Sequence, residues 1–297
     1  MAVLEPYKGK YFLWKYLPSI PAAGVFCGLF AIITVLNCWR VGRTGTWSFI
    51  PFIIGGFMEC IGYATRAVAY NQTGKLVPFA LQNSMILLAP VLLAATIYAT
   101  LGRVISGVNA DKYAIVRPRW ITRLFVTGDI LSLLVQGSAA GLMLMEGRMK
   151  TGQNIVILGL VIQILLFGLF CLTAALFHVR MRRCPTEGHR SGGEEWERQI
   201  YRLYGVSALV MFRSVFRLVE FIMGYNAYLL THEWPLYVFD SAPMLAVMII
   251  FWFALPGTVW MRRPGSKDSV TSLSVLNGRT RATKGSGITG SKAAGSV

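Results

Sequence analysis

Apolar runs about 20 residues long recur along this chain, and short polar or basic stretches separate them. A helix of about 20 residues crosses the roughly 30 Å hydrocarbon core of a bilayer. Seven spans are predicted on this basis, at 18–39, 48–70, 77–101, 124–146, 154–177, 206–228 and 236–260. The fold class is therefore all-α: a polytopic membrane protein built as a seven-transmembrane-helix bundle. Residues 1–17 form a segment ahead of the bundle (18–260). Residues 261–297, rich in Ser, Thr, Gly and Lys, have little to bury and are expected to be a disordered basic tail.

The separating stretches set an orientation. Of the 29 Lys and Arg, 20 fall in the loops after spans one, three and five or in the tail, against six in the other loops and the N-terminal segment. The positive-inside rule places the N-terminus outside and the C-terminus in the cytoplasm. Tryptophans fit interfacial belts on this scheme, with Trp39, Trp47, Trp120 and Trp260 at inner ends and Trp14 and Trp234 at outer ends. No 7–15-residue apolar stretch precedes a small-residue cleavage site in residues 1–16, so span one is expected to act as its own insertion signal. The one sequon, Asn71-Gln72-Thr73, then lies outside. None of the five cysteines falls in an outer loop, so no extracellular disulfide is expected; Cys38 and Cys184 lie near the cytoplasmic face.

Composition agrees with the pattern. Of 297 residues 55% are hydrophobic and only 14% charged, and the mean hydropathy is +0.54; a soluble domain averages about 25% charged residues. The net charge of +16 is spread between spans rather than gathered on one face, which argues against nucleic acid as a partner.

Charges inside the spans change the picture more. Glu59, Arg66, Asp129, Arg213, Arg217, Glu220 and Asp240 all fall within predicted spans. Left alone, each costs about 2.5–3.5 kcal/mol at the bilayer centre. Seven unpaired charges would exceed a net stability of about 5–15 kcal/mol. They must face one another or a polar interior. Spacing supports this: Arg213, Arg217 and Glu220 stand at i, i+4 and i+7, Glu59 and Arg66 are seven apart, and so are Asp129 and Gln136. Gln82 and Gln163 add amides. Depth along the spans suggests the pairs Asp129–Arg213, Glu59–Arg217 and Arg66–Asp240, with Glu220 left over. Gly55, Gly56 and Gly62 are expected to let a neighbouring helix approach, and Pro90 and Pro243 are candidate kinks.

The order of these polar stripes resembles the fungal lipid-translocating exporter family, the RTA-like proteins associated with aminocholesterol resistance. The resemblance covers about residues 16–264. It shows in YLPS (16–19), GGFMECIGYATR (55–66), LQNSMILLAPVLLAATIYATLGRVI (81–105), FVTGDILSLLVQGSAAG (125–141), GLVIQ (159–163) and FRSVFRLVEFIMGYNAYLLTHEWPLYVFD (212–240). It implies that Glu59, Arg66, Gln82, Asp129, Gln136, Gln163, Arg213, Arg217, Glu220 and Asp240 form a substrate-binding or translocation path, and Glu233 belongs to the same pattern. It also implies an integral membrane protein, of the plasma membrane or endomembranes, whose partners are membrane lipids and an amphiphilic substrate such as a sphingoid base. The chain departs from the family at Asn37 and at Leu255-Pro256-Gly257, where histidines are expected.

Other classes fit less well. A seven-helix receptor or lipid sensor shares the topology, but span three ends Leu101-Gly102-Arg103 without an acidic-Arg-Tyr motif, and span seven has neither Asn-Pro-x-x-Tyr nor a lysine for retinal. A zinc hydrolase needs about three convergent ligands, whereas His178 and His189 are expected inside and His232 outside. No Gly-x-Ser-x-Gly elbow is present. The expected protein is not an enzyme and carries no cofactor or metal.

Overall fold

The computed structural model describes Trp14 and residues 16–70, 73–107, 118–143, 148–183, 195–224 and 228–254. The sequon's Asn71 and Gln72, Cys184, His189, the stretch Leu255-Pro256-Gly257, Trp260 and the expected tail lie outside the described residues.

Seven long helices follow in order: α1 (Ile20–Thr44), α2 (Ile50–Ala69), α3 (Leu76–Gly107), α4 (Pro118–Met143), α5 (Met149–Arg183), α6 (Glu195–Met223) and α7. Helix α7 begins as a π-helical segment, Leu236–Ser241, and runs on as an α-helix, Ala242–Ala254. No strand occurs among the described residues. Local chemistry places the ends. Pro21 opens α1, where a missing N–H costs nothing. Gly45 closes it at φ 65, a left-handed conformation natural to glycine, and its N–H caps Val41 O. One 3₁₀ turn, Trp47–Phe49, then leads into α2. Pro90 sits inside an unbroken α3. Pro243 has no N–H to return to residue 239, and the turn before it is widened: the Ala242 N–H reaches back five residues to Tyr237 O.

The helices close into a ring, each packed on the next, with α7 returning to α1 and α3 also touching α6 across the interior. By length and hydropathy, five helices among the described residues can cross a membrane: Ile20–Thr44, Ile50–Ala69, Leu76–Ser106, Lys150–Arg183 and Leu236–Phe253. Helices α4 and α6, with 26 and 29 residues, are long enough but more polar. Their polarity is one-sided. On α6, Phe212, Val215, Val219 and Ile222 face outward while Arg213 and Glu220 are buried; on α4, Ile130, Leu131 and Leu134 face outward while Asp129, Ser132 and Gln136 are buried. This inside-out arrangement, greasy outside and charged within, suits a lipid surround and would be costly in water.

Small residues set the helix spacing. A Cβ on Gly56 would lie 2.4 Å from Thr34 Oγ1 and 2.6 Å from Met248 Cε; one on Gly62 would lie 2.7 Å from Ile86 Cγ1; one on Gly55 would lie 3.0 Å from Ala89 O. These three glycines let α2 press against α1, α3 and α7, as small residues do in membrane bundles.

Candidate functional site: a buried charge network

Two ionic clusters organise the α1–α2–α6–α7 side of the ring. The first joins α6 to α7. Asp240, 1% exposed, receives Arg217 through Nε to Oδ1 at 3.0 Å and Nη2 to Oδ2 at 2.6 Å. Arg213 Nε lies 2.7 Å from Asp240 Oδ1, a charge contact whose angle is too poor for a hydrogen bond, while its Nη2 donates to Ile86 O at 3.1 Å. Arg217 Nη1 holds Glu220 Oε2 at 3.1 Å. Two arginines thus balance two acids. Asp240 lies in the π segment, whose wide turn presents it to both arginines on α6; such turns recur at functional sites.

The second cluster forms where the chain enters α1 and α7. Arg66, at the end of α2, donates to Glu233 Oε1 from Nη2 at 2.9 Å and to Tyr16 OH at 2.9 Å; its Nε is 3.2 Å from Tyr237 OH. The guanidinium also stands 5.5–5.6 Å from the centroids of Trp14, Tyr16 and Tyr237, within cation–π range. Ser19 N–H donates to both Glu233 oxygens, at 2.9 and 3.1 Å. Burial works against a charge on Glu233, but Arg66 and the Ser19 N–H outweigh it and hold the carboxyl below its usual range. The segment before α1, α2 and the α6–α7 connection are thereby latched together.

Glu59 lies inside the ring, 1% exposed, and both its oxygens lack a hydrogen-bond partner. It feels Arg213, Asp240 and Arg217 electrostatically but contacts none of them as an ion pair. Gln82 Oε1 on α3 and Asn37 Oδ1 on α1 are also buried acceptors without donors. Asn37 Nδ2 donates to Ile33 O at 2.8 Å, so it is the oxygen that is left bare. Beside Glu59, Tyr63 OH hydrogen-bonds Ser241 Oγ and stacks on Phe30.

The α3–α4–α5 side differs. Asp129 Oδ2 accepts from Tyr98 OH at 2.8 Å, while Oδ1 is buried and bare. Tyr98, Phe125, Phe167 and Phe170 pack on one another with centroids 4.6–6.0 Å apart. Further along, Gln136 Nε2 donates to Gln163 Oε1 at 3.2 Å.

These contacts correct every pairing predicted from depth. Asp129 does not meet Arg213, Glu59 does not meet Arg217, and Arg66 meets Glu233 rather than Asp240. Glu220 is not the surplus acid, because Arg217 binds it; among the described residues the buried acids without an ion pair are Glu59 and Asp129. Depth along a helix leaves rotation undetermined, and the π turn rotates Asp240 toward α6. Glu233 escaped the pairing scheme because it lies between spans, although it was among the family's polar positions. Trp14, Tyr16, Ser19 and Tyr237 carried no charge to flag them. Among the described residues no three His, Cys, Asp or Glu converge as metal ligands would.

The fold and its interior define a polytopic α-helical membrane protein with a charged core. Residues 52–263 match the family described as "RTA1 like protein", and the chain belongs to it. It is 40% identical over 205 residues to Protein RTM1 of Saccharomyces cerevisiae, covering 69% of this chain and 66% of that one. It is 37% identical to Protoporphyrin uptake protein 1 of the same species (81% of this chain, 91% of the relative). It is 25% identical to the Sphingoid long-chain base transporter RSB1 of S. cerevisiae (80% and 72%). No solved structure matches the chain.

Proposed function

We propose that this protein moves amphiphilic lipids such as sphingoid long-chain bases across a membrane, and that Glu59 receives the cationic head group. The observation that carries this reading is the bare Glu59 carboxylate. Around it Arg213 and Arg217 are balanced by Asp240 and Glu220, and Arg66 by Glu233. An ionised Glu59 is then, among the described residues, the one negative charge on that side without a partner, and an ammonium supplies both the opposite charge and N–H donors for its oxygens. The outward apolar faces of the helices leave the alkyl tail in lipid. The name of the sphingoid base transporter among the relatives supports the substrate class, and the protoporphyrin uptake protein adds a second probe to the test. With the basic loops cytoplasmic, the Arg66–Glu233 latch faces outside and closes the outer end of the path, and the plasma membrane is the proposed location. Arg66, Gln82, Arg213, Arg217, Glu220 and Asp240 frame that path.

The test is reconstitution of the full chain in liposomes, with fluorescent sphingoid-base, phospholipid and protoporphyrin probes. Sphingoid-base flux that Glu59→Gln abolishes, in a variant that still elutes as folded protein, is the expected result. Normal sphingoid-base flux in Glu59→Gln, or protoporphyrin flux alone, overturns the reading.

A further inference from the structure

Asp129 sits apart from every charge described above. It is 1% exposed and makes no ion pair among the described residues, where the Tyr98 hydroxyl is the one hydrogen-bond partner of its carboxyl. From α3 the Tyr98 hydroxyl faces it, and Cys171 on α5 acts electrostatically on that tyrosine. On its own helix Ser132 turns away to bond the Asp129 backbone oxygen at 2.8 Å. We propose that Asp129 is a proton-binding site, loaded while the α4–α5 seam is closed and emptied when it opens, which couples translocation to the pH difference across the membrane.

The packing selects the ligand. Tyr98, Phe125, Phe167 and Phe170 are 0–3% exposed and in mutual contact. Along the same seam a Cβ on Gly128 would lie 2.6 Å from Leu166 Cδ1, and one on Gly159 would lie 2.8 Å from Gln136 Cγ. An amine with an alkyl tail has no room here, whereas a proton needs none. A lone carboxylate in this apolar collar, with one hydrogen bond and one bare oxygen, is uncompensated; a proton on Oδ1 removes the charge without disturbing Tyr98. Opening the seam along Ser132, Gln136 and Gln163 admits water to Oδ1. The carboxyl O–H bond then breaks, its proton passes to water and the electron pair stays on the carboxylate; closing reverses the step. Asp129 binds no substrate in this scheme: it positions the seam through its protonation state.

The coupling rests on the transport reading above, but the site itself does not, and the experiment separates them. Infrared difference spectra of the full chain in lipid, recorded across a pH change, should show a protonated-carboxyl band. Asp129→Asn should remove one component of it, Glu59→Gln should keep that component, and Tyr98→Phe, which leaves the acid but removes its hydrogen bond, should shift it. A band that persists unaltered in folded Asp129→Asn overturns the proposal. Should that variant not fold, an unshifted band in Tyr98→Phe overturns it instead. In liposomes carrying a fluorescent sphingoid base, a pH gradient should accelerate flux in the wild type, and Asp129→Asn should lose that acceleration. Flux that persists in Glu59→Gln while Asp129→Asn loses the gradient response removes the Glu59 reading alone. Absence of any gradient response in an actively transporting wild type removes the coupling.

Discussion

The two sides of the ring solve the same problem in different ways. On the α1–α2–α6–α7 side, polar groups are charged and mostly paired: Asp240 between two arginines, Glu220 on Arg217, Glu233 on Arg66. On the α3–α4–α5 side they are a carboxyl held by a tyrosine and an amide pair, with aromatic rings as filling. Among the described residues each side leaves one buried acid without an ion pair, Glu59 in the first and Asp129 in the second. The difference teaches that burial of a charge does not reveal its role. A paired acid such as Glu220 is held in place by its partner, whereas a bare acid is available to something that arrives from outside.

The comparison breaks most visibly at Arg217. Arg217→Ala strands Glu220 and leaves Asp240 with Arg213 alone, and removing one partner of a buried pair costs about 3–5 kcal/mol. Folded protein on size exclusion should nearly vanish. By the same logic Glu220→Gln should lower the melting temperature more than Glu59→Gln, since Glu59 has no partner to lose; the reverse order would move Glu59 into the paired class. Gly56→Ala tests the packing that brings the charged helices together. Its Cβ meets Thr34 and Met248, and overpacking costs about 1–3 kcal/mol, so it should melt earlier without altering any charge.

A smaller effect belongs to the latch. In a double-mutant cycle of Arg66→Gln and Glu233→Gln, the coupling should fall within the roughly 0.5–3 kcal/mol seen for contacting residues. The Glu233 carboxyl is held below its ordinary value of 4.5. The latch therefore contributes its full stability above that value and loses it as the pH falls through the lowered one. Glu233→Gln should flatten the acid limb of the stability profile. The smallest change is expected on the neutral side. Gln136→Leu alone leaves the Gln163 amide without its partner, and hydrogen bonds between membrane helices average about 0.6 kcal/mol. Replacing both glutamines with leucine should be nearly neutral, because no polar group is then left unpaired.

The sequence by itself determined the class of protein and the set of polar side chains that must face inward. Twenty apolar residues cannot avoid the bilayer, and a charge among them cannot face lipid, so the count and the helical stripes were legible in α2, α4 and α6. The roles of Gly55, Gly56 and Gly62 were legible for a similar reason, since a missing side chain inside a span has few uses. Only the tertiary structure decided who meets whom. Arg66 finds Glu233 because the α6–α7 connection folds back beside the end of α2, and Asp240 finds Arg213 and Arg217 because a π turn before Pro243 rotates it. An ion pair forms or fails over about an ångström, and one-dimensional depth cannot resolve the rotation of a helix about its axis, which moves each side chain by about 100° per residue. That rotation separated the paired Glu220 from the bare Glu59 and Asp129.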